Sequence, residues 1–231
     1  MSTVSLLTQN KRTFSFAAWI SNHWFGSFLA VYGAWVFLPF LAPVFMKMGW
    51  DGAGSALYFF YSFFCHQLPE RSFFLFGESS MYSLREIQAA WQNTINPFVL
   101  RKFNGNESMG WKVAWSDRMI WFYTSIWFFA LIWSTLRRVI RPISWQGFIL
   151  LLVPMALDGG THAISDLAGI GQGFRDTNQW LVAWTGNAFS SAFYAGDAIG
   201  SFNSWMRFIT GLLAGLGIVW FALPHIFVQE R

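Results

Sequence analysis

The sequence predicts an all-α fold, a polytopic transmembrane helical bundle of four spans with structured outer loops, making one integral membrane domain over residues 1–231. Three observations predict it. Charged residues make up only 11% of the chain, against about 25% in soluble domains. Aromatic residues reach 21%, with 15 Trp and 27 Phe, an excess expected where rings meet lipid and headgroups. Four apolar stretches also approach or exceed the ~20 residues that cross a bilayer core.

The first span reads from Phe25 to Met46, 22 residues without a charge. Pro39 and Pro43 in its second half predict a kink. The second runs from Met119 to Leu136, behind the N-capping candidates Ser116 and Asp117, and is closed by Arg137 and Arg138. The third starts at Trp145 behind Ser144 and extends to about residue 164. The fourth covers Phe208–Val228, where Gly211 and Gly215 have the small-xxx-small spacing that lets membrane helices approach closely. A fifth crossing would need Ala53–Cys65 to continue through "HQLPERSFFLF". Thirteen apolar residues are short for a span, so a re-entrant or interfacial segment is expected there.

Arg137, Arg138 and Arg141 crowd the short connection between spans two and three, and Lys11 and Arg12 precede span one. Positive charge in short loops marks the cytoplasmic face. This predicts a multi-pass protein of the cell membrane with both termini cytoplasmic and loops 47–117 and 165–206 outside. Residues 13–24 suit an aromatic interfacial helix. Ser83-Leu84-Arg85-Glu86 is a capping box for a short helix carrying Leu84, Ile87 and Trp91, ended by Asn96-Pro97.

The chemistry, if any, sits in a polar constellation. Asp158, His162 and Asp166 lie at i, i+4 and i+8, on one helix face. Asp158 is about 20 Å along the helix from Trp145, where an ionisable group requires a partner or a wet cavity. Gly159-Gly160 offers a place for the helix to open. Arg207 is the expected partner of Asp158; Arg118, Arg175, Asp176 and Asp197 are further charges on the same side, and "CHQLPERSF" adds His66, Glu70 and Arg71. The resulting pocket is His66, Glu70, Arg71, Asp158, His162, Asp166 and Arg207. Three readings stand: a structural ion pair that fixes packing, a functional site for a small polar ligand, lipid headgroup or ion, and a metal site drawn from His66, His162, Asp158 and Asp166. His23 and His225, at the cytoplasmic ends of spans one and four, are candidate axial ligands for haem or a pigment, against ordinary interfacial histidines.

The partners expected are the lipid bilayer and, in an alternative reading as a non-catalytic subunit of a respiratory or photosynthetic complex, other membrane subunits. No nucleic acid is expected, because the net charge of +4 is scattered and forms no basic stripe. Cys65 is the single cysteine, which excludes an internal disulfide. No GxSxG elbow or P-loop is present, and no catalytic residue or cofactor is assigned.

Cys65-His66-Gln67 followed by Glu70-Arg71-Ser72-Phe73 resembles the "CHQ…RSF" signature of a family of small prokaryotic membrane proteins, domain of unknown function 2085. Asp158-Gly159 resembles its "DG" element, and Arg207-Phe208-Ile209-Thr210-Gly211 its "R-x-x-T-G" opening of the last span. The resemblance implies a membrane bundle and no particular reaction. The "C-x-x-C" pair common in that family is missing, since the region reads "GESSMYSLREIQ"; no thiolate site carries over. Loops 77–117 and 165–206 read as additions to the common core.

Overall fold

A computed structural model describes Trp19 and residues 22–228. Lys11, Arg12 and most of the expected interfacial helix over 13–24 lie outside the described residues. The chain is 65% helix and 6% strand, and among the described residues four helices are long and apolar enough to cross a membrane. It is a multi-pass membrane protein.

The first such stretch, Trp24–Lys47, is built from α1 (Trp24–Phe37), a 3-10 turn at Leu38–Phe40 and α2 (Leu41–Lys47). The turn falls where Pro39 removes a backbone donor, which is the expected kink. α3 (Asp51–Tyr61) follows and folds back along α2: Gly54 lies against Met46 and Ala42, and the Tyr61 hydroxyl donates to Trp35 O at 3.0 Å. At 11 residues α3 is too short to span, and the chain then turns rather than continuing. The fifth crossing is therefore not made by a helix.

The sequence reading did not foresee a small sheet in the first long loop. β1 (Ser72–Leu75) and β2 (Gly105–Asn106) flank β3 (Gly110–Ser116), both antiparallel to it. The register pairs Ser72 with Ser116 and Leu75 with Trp111. Every residue of β3 is buried, so no polar/apolar alternation marks the strand. Lys112 in its middle is fully buried too, with Nζ donating to Gln67 O at 2.9 Å and Arg101 O at 2.6 Å. Between these strands, the capping box forms as expected and starts α4 (Leu84–Ala90), whose Ile87 is buried. Asn96-Pro97 does more than end it: Asn96 caps the short α5 (Pro97–Leu100).

β3 runs directly into the second spanning helix, α6 (Asp117–Leu136). The third, α7 (Trp145–Asp166), is capped by Ser144, which accepts from Gly147 N at 3.2 Å. α7 stays helical through Gly159-Gly160, so the expected opening there does not occur. Short helices α8 (Phe174–Thr177), α9 (Gln179–Thr185) and α10 (Ser191–Tyr194) lead to α11 (Phe202–Val228). α11 begins six residues before the expected Phe208, because Asn203 and Arg207 find buried partners and need not lie in a loop.

α11 is the central helix, packed against α6 on one side and α7 on the other. Half of its apolar window is buried inside the protein, against 11% of that of α7, whose Leu150, Leu157 and Ile164 face outward as lipid-facing side chains would. Close packing with α6 rests on Gly211 and Gly215. A Cβ on Gly211 would lie 3.1 Å from Phe122 N, and one on Gly215 would overlap the Ser125 side chain. That hydroxyl donates to Phe122 O at 2.7 Å and Gly211 O at 3.1 Å, tying the helices together where the glycines let them meet. Gly215→Leu is expected to lower stability in detergent by ~1–3 kcal/mol, the usual cost of overpacking. Gly215→Ala combined with Ser125→Gly should recover much of the loss caused by Gly215→Ala alone. Thermal melts of the three variants check this.

Candidate functional site

The N-terminal turns of α6 and α11 and the C-terminal turns of α7 come together at the loop-rich end of the bundle. Each brings charged side chains. Arg207 of α11, 1% exposed, donates through Nη1 to Asp117 Oδ2 at 2.9 Å and through Nη2 to Asp197 Oδ1. Arg71 donates through Nε to the other Asp197 oxygen at 2.9 Å, and forks onto Asp166 at 2.6 and 2.7 Å. On the far side of α11, Arg175 Nη2 reaches Asp158 Oδ1 at 2.7 Å, and Arg118 Nη1 lies 2.7 Å from Asp158 Oδ2.

Asn203 joins the two halves. It accepts from Arg175 Nε at 3.2 Å and donates to Asp197 Oδ1 at 3.3 Å. The circuit closes through the adjacent residues Asp117 and Arg118, whose backbone N donates to Asp117 Oδ1 at 2.7 Å. Four arginines thus meet four aspartates, and the charges cancel. Burial alone would raise the Asp197 carboxyl, but Arg207 and Arg71 hold it well below the usual carboxylate range.

The expected Asp158–Arg207 pair is not formed. Arg207 is taken by Asp117 and Asp197, and Asp158 by Arg118 and Arg175. The reason is steric. Arg118 approaches Asp158 across Gly159, where a Cβ would stand 3.2 Å from its Nη1. Asp117, at the end of β3, lies closer to Arg207. Of the seven pocket residues, Arg71, Asp158, Asp166 and Arg207 therefore belong to one network. His162, 4% exposed, joins it through Nε2, 3.3 Å from Arg175 Nη2; since the guanidinium donates, Nε2 accepts. His66 stands outside the network: it is exposed, and its Nδ1 accepts from Leu68 N at 3.2 Å.

Glu70 is the exception. It is 4% exposed, and neither carboxylate oxygen has a hydrogen-bond partner. Burial pushes its carboxyl up to about 7, against the pull of Arg71. Lys112 is shifted the opposite way, down to about 7 by burial.

Asp117, Arg118, Arg175 and Asp197 complete the network but were absent from the expected pocket. Three had been noted as available charges; Asp117 had the look of a helix cap. Asp117 and Arg118 are marked by their place in the first turn of an apolar segment, whereas Arg175 and Asp197 lie in the loop between α7 and α11 with no such local signal. Among the described residues, no group of three or more His, Cys, Asp or Glu is arranged to hold a metal. His23 Nδ1 and His225 Nδ1 each bond a carbonyl one turn earlier, Trp19 O at 2.9 Å and Phe221 O at 2.6 Å.

The CHQ segment forms a corner. Cys65 Sγ accepts from Gln67 N at 3.4 Å and Ser116 N at 3.3 Å, holding the corner to the β3–α6 junction. Gln67 adopts φ 53°, donates to Tyr58 O at 2.9 Å and accepts from Lys112. The corner delivers Glu70 and Arg71 to the network.

No family model matches the chain, and no solved structure matches it. An uncharacterized protein of Methanocaldococcus jannaschii is 28% identical over 196 residues, covering 81% of this chain and 83% of its own length. The resemblance to domain of unknown function 2085 rests on its motif residues alone. Those residues have structural work here: Cys65 and Gln67 in the corner, Arg71 and Arg207 in the network, Gly159 beneath Arg118 and Gly211 against α6.

Two outcomes are expected. Arg207→Gln strands buried Asp117 and leaves Asp197 with Arg71 as its remaining arginine, and should cost ~3–5 kcal/mol. In double-mutant cycles, Asp117→Asn with Arg207→Gln should show strong coupling and Asp158→Asn with Arg207→Gln weak coupling; unfolding of the purified variants measures both. The second outcome concerns pH. The folded protein keeps the Glu70 proton up to about 7, whereas the unfolded chain loses it near the ordinary glutamate value of 4.5. The Glu70 contribution is thus full at low pH and lost as pH rises from 4.5 through 7. Wild-type melting temperature should fall across that window relative to Glu70→Gln, read by parallel melts.

Proposed function

We propose that this protein holds the polar head of a lipid-like molecule beside the charge network, with the apolar part directed into the bilayer. A cleft of about 820 Å³ between α7 and α11 carries the reading. Its walls are Pro154, Leu157, Met206 and Thr210 from the two spanning helices, roofed by Phe174 and Trp180. Asp158, Thr161 and Arg175 supply the polar end. An apolar cleft with a few convergent polar groups is the usual form of a small-molecule site. The lateral position between two spanning helices suits a ligand that arrives through the membrane. A free, water-borne solute has no use for such walls.

The polar end favours a neutral or zwitterionic head over a simple anion. Arg175 already donates to Asn203, to Thr161 at 2.9 Å and to Asp158 at 2.7 Å, and its charge is balanced within the network of four arginines and four aspartates. Positive charge in the short 137–141 connection supports a cytoplasmic position for that end of the bundle. In this reading the protein resides in the cell membrane, both termini are cytoplasmic, and the cleft lies in the outer half of the bilayer.

Met206→Trp and Leu157→Trp would fill the cleft without touching a charge. Protein released from nanodiscs into native mass spectrometry is expected to retain bound amphiphile in the wild type. In the variants retention should fall about tenfold, equivalent to ~1.4 kcal/mol of binding, with the melting temperature held. Equal retention would exclude the cleft as the binding place.

A further inference from the structure

A second cavity, of about 440 Å³, lies on the opposite side of the network among the loops. Glu70, Asp176 and Asp197 line it, with the Ser83 segment, Ile170-Gly171 and the Ala195–Ala198 segment making the remaining wall. Arg85, exposed, stands at its margin. Asp197 is saturated by Arg71, Arg207 and Asn203. Asp176 uses one oxygen, accepting from Gly173 N at 2.8 Å. Glu70 is buried, and both of its oxygens are without a partner.

Buried carboxylate oxygens without donors are rare in folded proteins and call for an explanation. The neighbouring cations do not supply one: Arg71 is committed to Asp166 and Asp197, and Lys112 to the carbonyls of Gln67 and Arg101. We infer that this cavity binds a primary ammonium group, with Glu70 as its principal acceptor and Asp176 as the second. The lining excludes anions, since it presents three carboxylates. It also lacks the close set of acidic or histidine ligands that a metal ion needs. An ammonium head supplies N–H donors in several directions, which two separated carboxylates require. Burial raises both Glu70 and Asp176, and the Asp197 charge adds to each shift; an incoming cation would relieve the cost of ionising them.

The site is separate from the cleft between α7 and α11. Methylammonium titrated into the full chain in phosphatidylcholine nanodiscs, followed by saturation-transfer NMR, tests the inference. Binding should strengthen from pH 6 to pH 8 as Glu70 loses its proton. Tetramethylammonium, which has no N–H donors, and sodium and magnesium ions should bind at least tenfold more weakly. Glu70→Gln should weaken methylammonium at least tenfold, and Ala198→Phe, which fills the cavity without altering charge, should abolish binding. If Glu70→Gln does not fold, Ala198→Phe decides alone. Met206→Trp should leave methylammonium binding unchanged. No binding by the wild type, equal binding by either cavity variant, or equal binding of sodium or tetramethylammonium overturns the inference.

Discussion

The fold depends on Arg207 being neutralised inside the protein. A guanidinium with 1% exposure in the second turn of a spanning helix has no water to turn to. Asp117 and Asp197 supply two carboxylates, one from the start of α6 and one from the loop before α11. Neither would be stable there alone. Asp197 in turn needs Arg71, and Arg71 needs Asp166. The second span (α6), the β-sheet loop, α7 and the last loop are thereby tied to one charge on the central helix. Desolvation makes each member costly on its own, so the network specifies an arrangement more than it adds stability.

The sheet exists to serve this arrangement. β3 hands the chain to α6 at Ser116-Asp117, so the strand fixes where Asp117 and Arg118 begin. Cys65, bound to Ser116 N, fixes where the corner carrying Glu70 and Arg71 sits relative to that junction. Lys112 ties the corner and the α5 segment to β3 from beneath. A positive charge in the middle of a fully buried strand makes sense as a clamp on two carbonyls, with burial lowering its own affinity for the proton.

The network also separates two kinds of surface. On the side of α7 and α11, Arg175 and Asp158 close off an apolar cleft at the depth of the spanning helices. On the loop side, Asp197 forms the back of a carboxylate-lined cavity. The two cavities have no lining residue in common; Asn203, bonded to both Arg175 and Asp197, stands between them. Outside the neutral total of four arginines and four aspartates, Glu70 is buried with neither carboxylate oxygen hydrogen-bonded.

Hydropathy and local residue types by themselves determined the four spans, the kink at Pro39, the capped α4 and a close helix approach at Gly211 and Gly215; that the approaching helix is α6 came from the structure. Those features are local: an apolar run of given length, a proline without a donor, or a glycine without a side chain has the same effect wherever the chain places it. The sequence also grouped His66, Glu70, Arg71, Asp158, His162, Asp166 and Arg207 as one pocket, because charges near the ends of apolar segments need partners; His66 and Glu70 make no bond to the network the others form. Only the tertiary structure decided who meets whom. Partner choice turned on the reach of Arg118 over Gly159 and on the position of Asp117 at the end of a strand. β3 was hidden because a strand buried on both faces shows no alternation, and its Lys112 resembled a solvated charge. The pairings follow from distances between segments far apart in the chain, which neither composition nor spacing encodes.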